Sequence, residues 1–272
     1  MQIAFIGGGH MTTGLVGGLR SGGVPPDTIT VADPLEVART RLAGEFGVRC
    51  TADNAAAIRD AGVVVLAVKP QDMAAVARSI APALSARRRV VISVAAGIRG
   101  CDLARWLGPA TPIVRAMPNR PALIGAGVTA LYAAPEVQPA ERAVAERVLS
   151  AAGATLWVDE ESQMDVVTAI SGSGPAYFFL LAEALEAAGV ELGLPQDTAR
   201  RLAVETARGA GRMAAESAET PSRLRDQVTS RGGTTAAALE VLETADVRGI
   251  FGRAVAAATQ RAAALADQFG GG

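Results

Sequence analysis

Lysine and histidine are almost absent from this chain. Lys69 is the single lysine among 26 basic residues, and His10 is the single histidine in 272 residues. The two cysteines, Cys50 and Cys101, stand far apart with no CxxC spacing. One imidazole and two distant thiols cannot assemble a zinc site, so no metal is expected. A Ser-His-Asp triad would need His10, which lies inside a glycine-rich loop. No excess charge of either sign is present: the net charge is −1 at pH 7. Bulk charge therefore points away from nucleic acid and from an anionic membrane surface as partners. No apolar run reads as long enough to span a bilayer. The N-terminus, MQIAFIGGG, reads as a strand entering a loop rather than as a signal peptide. A cytoplasmic location with buried, reduced thiols is the expectation.

What is present is apolar and glycine-rich: 50% hydrophobic residues and 30 glycines, in a length suited to one large or two ordinary domains. Residues 2–6 read as a buried strand. Gly7-Gly8-Gly9-His10-Met11-Thr12-Thr13-Gly14 follows, then a helical run. Strand, glycine turn and helix is the context a dinucleotide fingerprint requires. Gly7 would make the turn, Gly9 would let the backbone approach a pyrophosphate, and the helix start would receive the charge. Thr12 stands where Gly or Ala is usual.

Further strands are expected at 28–32, 62–68, 89–95, 112–116, 127–132 and 154–158, with helices at 35–46 and 71–84. Strands alternating with helices predict an α/β fold, a Rossmann-like doubly wound parallel sheet with ligand at the strand C-termini. Lys69 and Ala96-Gly97 fall at such ends. Asp33, after the second strand, has two readings: a ligand for a ribose 2′-hydroxyl, which favours NAD, or the N-cap of the next helix. Arg39 and Arg41 suit a 2′-phosphate instead, so these residues leave NADPH and NADH both open. Lys69 is either a place where a guanidinium fork does not fit or a solvated strand end.

After about residue 160 no convincing strand remains, and helices are expected at 161–190, 196–217, 221–229, 234–244 and 246–268. The domains are thus 1–160, dinucleotide-binding, and 161–272, all-α, for dimerisation and substrate binding. The all-α domain reads as poor in large side chains for an interior of its own and is expected to be buried by dimerisation. Within it Ser230-Arg231-Gly232-Gly233 runs into a helix at Thr234-Thr235. Adjacent glycines uncover backbone amides, and a helix start adds free N–H groups and a positive dipole end. Together they suit a carboxylate or a phosphate; the plainer reading is a glycine loop with a threonine cap.

A cofactor domain and an anion-binding helix start together suggest hydride transfer to or from a small carboxylate. Dehydrogenases of 2-hydroxy acids generally use a His or Lys to move the hydroxyl proton, and the helical half has neither. A C=N bond relaxes that demand, because a protonated imine already carries positive charge. Thr235 is then the candidate for a catalytic hydrogen bond to the imine nitrogen. His10 reads as a loop residue touching cofactor.

Beyond these local readings, the chain resembles pyrroline-5-carboxylate reductases over nearly its whole length. The likeness runs through FIGGGHM at 5–11, Asn54, LAVKPQ at 66–71, SVAAG at 93–97, RAMPN at 115–119, SGSGPAY at 171–177 and LRDQVTSRGGTTAAALEVLE at 224–243. The resemblance implies NAD(P)H-dependent reduction of 1-pyrroline-5-carboxylate to L-proline, the last step of proline biosynthesis, usually with NADPH. It implies that Gly7, Gly8, Gly9, His10, Met11, Thr12, Asn54, Ala67, Val68, Lys69, Pro70, Ala95, Ala96 and Gly97 line the cofactor. Ser230, Gly232, Gly233, Thr234 and Thr235 would hold the substrate carboxylate and ring nitrogen. It implies a homodimer, with dimers assembling into larger rings, commonly decamers. Four positions depart from the family pattern: Thr12 for Ala, His10 for Asn, Arg120 for Thr and Arg231 for Pro. Two other readings would use the same parts: a reductase of a larger or non-carboxylate imine, and a cofactor-binding protein without turnover.

Overall fold

Three short apolar strands, Ile3–Ile6, Val63–Leu66 and Val90–Ser93, are buried along their whole length and carry the first half of the molecule. The structure, a computed structural model, describes residues 1–270. The chain runs β1 (Ile3–Ile6), α1 (His10–Ser21), β2 (Ile29–Ala32), α2 (Glu36–Phe46), β3 (Arg49–Thr51), α3 (Asn54–Ile58), β4 (Val63–Leu66) and α4 (Pro70–Ser85). It continues through β5 (Val90–Ser93), α5 (Gly100–Leu107), β6 (Ile113–Met117), β7 (Gly127–Ala133), α6 (Pro139–Leu149), β8 (Gly153–Trp157) and α7 (Gln163–Val167). A π-helical turn at Thr168–Gly172 leads to α8 (Gly174–Glu191), α9 (Gln196–Glu216), α10 (Pro221–Gln227), α11 (Thr234–Thr244) and α12 (Val247–Gly270). Two compact units result: Met1–Ser173 joined by the segment from Ala258 onward, and Gly174–Ala257.

In the first unit the sheet order is β3-β2-β1-β4-β5-β6-β7-β8. Every neighbouring pair is parallel except β6 and β7. Strand order reverses between β1 and β4, and there the loops after the two strands diverge to open a crevice. Alternate side chains build a core on each face. Phe5, Val65, Ile92 and Val114 meet Leu15 and Leu19 of α1 and Val148 of α6. Ile6, Leu66 and Val91 meet Met73 and Ile80 of α4 and Leu103 and Trp106 of α5. The buried positions of α4, Met73, Ala77, Ile80 and Leu84, recur every three or four residues, so one stripe of that helix seals one face of the sheet.

Several expectations are corrected in detail. β3 is a three-residue strand that the sequence did not announce. β7 runs against β6, so the sheet is mixed at that end. Helix α2 starts at Glu36 with Leu35 as its cap residue, so Asp33 is not the N-cap. The thiols are not both buried: Cys50 is half-buried and Cys101 is exposed. Cys101 faces outward because α5 buries Gly100, Leu103 and Leu107, spaced by three and four, together with Asp102 and Trp106.

The second unit is helical and built on a hairpin, α8 against α9. Gly189 meets Ala199, where an added Cβ would stand 3.1 Å from the alanine methyl. Its only buried helical positions before residue 258 are Gly174, Ala199 and Ala203. Large side chains are not scarce in it. Phe178, Phe179, Leu180, Leu181, Leu185 and Leu202 are all present and exposed. The shortage is of interior, not of apolar volume.

The continuous helical stretch Gln163–Glu191, 29 residues containing an 18-residue window of mean hydropathy 1.2, is long and apolar enough to cross a membrane by length and composition. The expectation that no such stretch exists is therefore corrected. Small residues dilute its apolar run, which hides the length from a search for unbroken hydrophobic sequence.

Candidate active site

The glycine loop after β1 is shaped by close contact. Gly7 has φ +101°, and a Cβ there would stand 2.6 Å from the carbonyl oxygen of Ala67, so only glycine fits. Its N–H donates to Ala32 O at 2.7 Å, which ties the loop to the end of β2. Gly8 N–H donates to Asp33 Oδ2 at 2.6 Å. Gly9 is the cap residue of α1, without a side-chain cap, and nothing lies within 4 Å of the place a Cβ would take. By helical geometry the first amides of α1 have no partner in the helix. An exposed glycine below them forms a cradle that fits a pyrophosphate.

Thr12 is fully buried, and its hydroxyl donates to Gly7 O at 2.5 Å. The departure from Ala therefore pins the helix to the first glycine. Close approach of α1 to its neighbours falls instead to Gly14, where a Cβ would stand 3.0 Å from Ala122 O, and to Gly18, where it would run into Ala151 O.

Asp33 does not cap α2. Besides taking Gly8 N–H, its Oδ1 accepts Leu35 N–H at 2.8 Å, so the carboxylate organises the turn between β2 and α2. Arg39 donates to the carbonyls of Asp33 and Pro34, both at 2.8 Å. Arg41 reaches across to Thr13 Oγ1 at 2.9 Å and Gly8 O at 3.0 Å. Two guanidinium groups thus flank a turn that holds one carboxylate.

The remaining predicted cofactor residues sit at strand ends or helix starts of the same unit. Ala67 and Val68 follow β4 and are half-buried. Lys69 is the exposed cap residue of α4, and Pro70 is that helix's first residue. Asn54 begins α3, whose cap is Asp53, accepting from the amides of Ala55 and Ala56. Ala95 and Ala96 are half-buried after β5, and Gly97 turns with φ +70°. Met11 packs on the core below the loop, and His10 is exposed.

In the second unit Gly232 turns with φ +72°, and Gly233 caps α11 with no side-chain cap. Gly233 N–H donates to Ser230 O at 3.1 Å, and a Cβ on Gly233 would collide with Ser230 Oγ. The first backbone bond of the helix is Ala237 N–H to Gly233 O at 3.2 Å. The amides of Thr234, Thr235 and Ala236 are therefore outside the helical ladder. Neither threonine serves as the cap, so the expected threonine cap is corrected. Thr235 is half-buried; Ser230 and Thr234 are exposed.

Long-range anchors of the first unit escaped the sequence. Arg115, nearly buried, pairs with Glu161 at 2.7 Å, and Glu161 Oε1 also accepts Gly100 N–H at 2.6 Å. Partners 46 and 61 residues apart leave no local pattern to read.

Comparison with known proteins gives a consistent result. A family model described as pyrroline-5-carboxylate reductase dimerisation matches residues 161–265, and one described as NADP oxidoreductase coenzyme F420-dependent matches residues 2–97. A pyrroline-5-carboxylate reductase of Pseudomonas aeruginosa is 48% identical, with 99% of this chain and 98% of the relative covered. Among solved structures, a pyrroline-5-carboxylate reductase from Coxiella burnetii superposes with a TM-score of 0.94 at 42% identity, covering 97% of this chain and 98% of the other. That of Plasmodium falciparum, solved with NADP bound, gives 0.85 at 28% identity, with 98% of each chain covered. The chain belongs to the pyrroline-5-carboxylate reductase family, oxidoreductases with an NADP-binding Rossmann-like domain followed by a helical dimerisation domain.

Proposed function

We propose that the chain reduces 1-pyrroline-5-carboxylate to L-proline with NADPH, the last step of proline biosynthesis, in the cytoplasm. The observation that carries this reading is the start of α11: a left-handed glycine turn and three amides outside the helical ladder, with no side chain capping them. Those amides and the dipole offer the substrate carboxylate its partners. Ser230 and Thr234 add hydroxyls at the same place. The functional division falls near residue 160, with cofactor binding before it and substrate binding after it.

Bound NADPH supplies the hydride. The rest falls to side chains and backbone. Gly9 and the first amides of α1 receive the pyrophosphate, with Gly7, Gly8, His10, Met11 and Thr12 shaping the loop. Asn54, Ala67 to Pro70 and Ala95 to Gly97 line the remainder. Thr235 Oγ holds the ring nitrogen and orients the C=N bond toward the incoming hydride. The protonated imine carries its own positive charge, so no acidic side chain is required. The new C–H bond forms at the imine carbon, the C=N π pair returns to nitrogen, and a secondary amine results.

Preference for NADPH over NADH rests on charge around the β2–α2 turn. Asp33 is held by two amides, while Arg39 and Arg41 keep two positive charges beside it. A 2′-phosphate is met there by net positive charge. A second copy of the chain covers the exposed apolar side chains of α8 and α9, giving a homodimer, with dimers closing into a decameric ring.

Following NADPH and NADH oxidation with 1-pyrroline-5-carboxylate, and identifying proline as product, tests the reading. Turnover faster with NADPH is the expected result. Cofactor binding with no turnover would shift attention to Arg120, Arg231 and other cyclic imines.

A further inference from the structure

The end of α12 lies on the loop that follows β5. A Cβ on Gly97 would stand 3.3 Å from Leu265 Cβ and 3.5 Å from Ala266 N, so helix and loop are in direct contact. Two residues beyond Leu265, Asp267 Oδ1 meets Arg99 Nη2 at 2.7 Å. That hydrogen bond raises the Arg99 pKa above its ordinary value. Further along, Arg105 donates to Gly270 O, and Phe269 packs on the core beneath α5. Ala262 and Ala266 are buried on the same helix face. From the other side, Glu161 holds Gly100 N–H, and Ile98 is fully buried.

The loop is therefore pinned at Gly97, Ile98, Arg99 and Gly100, while Ala95 and Ala96 stay half-buried and carry none of these contacts. These two, with Gly97, are the residues read above as cofactor-lining. A left-handed glycine keeps many conformations available when nothing covers it. Leu265 covers it.

We propose that the last turns of α12 form a clamp that fixes the 95–97 loop in its cofactor-binding conformation, with Leu265 as a positioning residue. The proposal rests on the reading that this loop touches the cofactor. Leu265 meets neither cofactor nor substrate; it acts by denying the loop its alternatives, and so lowers the ordering entropy left for binding.

The test is hydrogen exchange and NADPH titration calorimetry on the full-length protein, the Leu265→Ala and Leu265→Met variants, and Asp267→Ala. Alanine keeps the propensity of an alanine-rich helix, and Asp267→Ala removes only a surface ion pair. The expected result is faster exchange of amides 95–98 in Leu265→Ala without cofactor, and an NADPH Kd raised about threefold to tenfold, a change of about 1 kcal/mol. KM for NADPH should rise with it, while kcat and KM for the imine stay put. Leu265→Met should restore the parent values because its volume is conserved. Asp267→Ala should speed loop exchange without loss of thermal stability. Unchanged loop exchange and Kd in Leu265→Ala, with NADPH still protecting 95–98 in the parent protein, overturns the clamp alone. No protection of 95–98 by NADPH in the parent removes the loop from the cofactor site, and the clamp with it.

Discussion

At the scale of single residues, the proposed mechanism divides chemistry between backbone and hydroxyl groups. In that proposal the amides at the start of α11 grip charge, and Thr235 contributes direction. Thr235→Ala is expected to lower kcat by about one to three orders of magnitude, about 1–4 kcal/mol of transition-state stabilisation; an unchanged kcat takes the residue out of the mechanism. His10 gives the contrast. It is exposed at the first position of α1, and His10→Asn should leave turnover within a small factor of the parent. The thiols differ too. Burial pushes the Cys50 pKa up, against the positive charge of Arg39, which pulls it down. Less thiolate forms at a given pH, and the side chain is half covered, so iodoacetamide near pH 8 should alkylate exposed Cys101 first, as peptide mass spectrometry would reveal. Equal labelling rates would contradict the packing around Cys50.

At the scale of elements, helix α1 depends on how near it comes to the turn at residues 150–152. In an exposed helix Gly→Ala adds stability, but a Cβ at Gly18 meets the Ala151 carbonyl. Gly18→Ala should cost about 2–3 kcal/mol, read as a lowered urea midpoint with an unchanged slope. The central strands were legible in the sequence because a strand buried on both faces must be largely apolar: 62–68 is an unbroken apolar run, and 89–95 departs from one only at Arg89 and Ser93. β3 was not, since three residues, Arg-Cys-Thr, at a sheet edge carry neither an apolar run nor an alternation. The reversed direction of β7 was also hidden: the connection from Met117 to Gly127 sets it, and strand direction leaves no trace in hydrophobic periodicity. The glycine junctions at 7–9 and 232–233 were readable because each demands a residue without Cβ. The contacts of Arg115 with Glu161 and of Leu265 with Gly97 were not, because distance along the chain erases any pattern. For Asp33, the residue was readable as important but its partners, Gly8 and Leu35, were not.

At the scale of the whole molecule, the second unit presents its phenylalanines and leucines outward. The sequence read this half as poor in large side chains; the fold shows that they are present and exposed. Its match to a dimerisation model supports the proposal that those side chains pack against a second copy. Replacing Phe178 and Phe179 by Glu should turn the assembly into monomers in light scattering and abolish turnover, with the far-ultraviolet spectrum of the first unit's sheet retained. An unchanged mass would place the interface elsewhere. A unit that buries only Gly174, Ala199 and Ala203 of its own helices also makes folding a matter of mass action. Its melting point is then a property of abundance as much as of sequence: each tenfold dilution withdraws about 1.4 kcal/mol from the associated state. A cell that makes little of this chain therefore keeps a less stable protein than a cell that makes much of it.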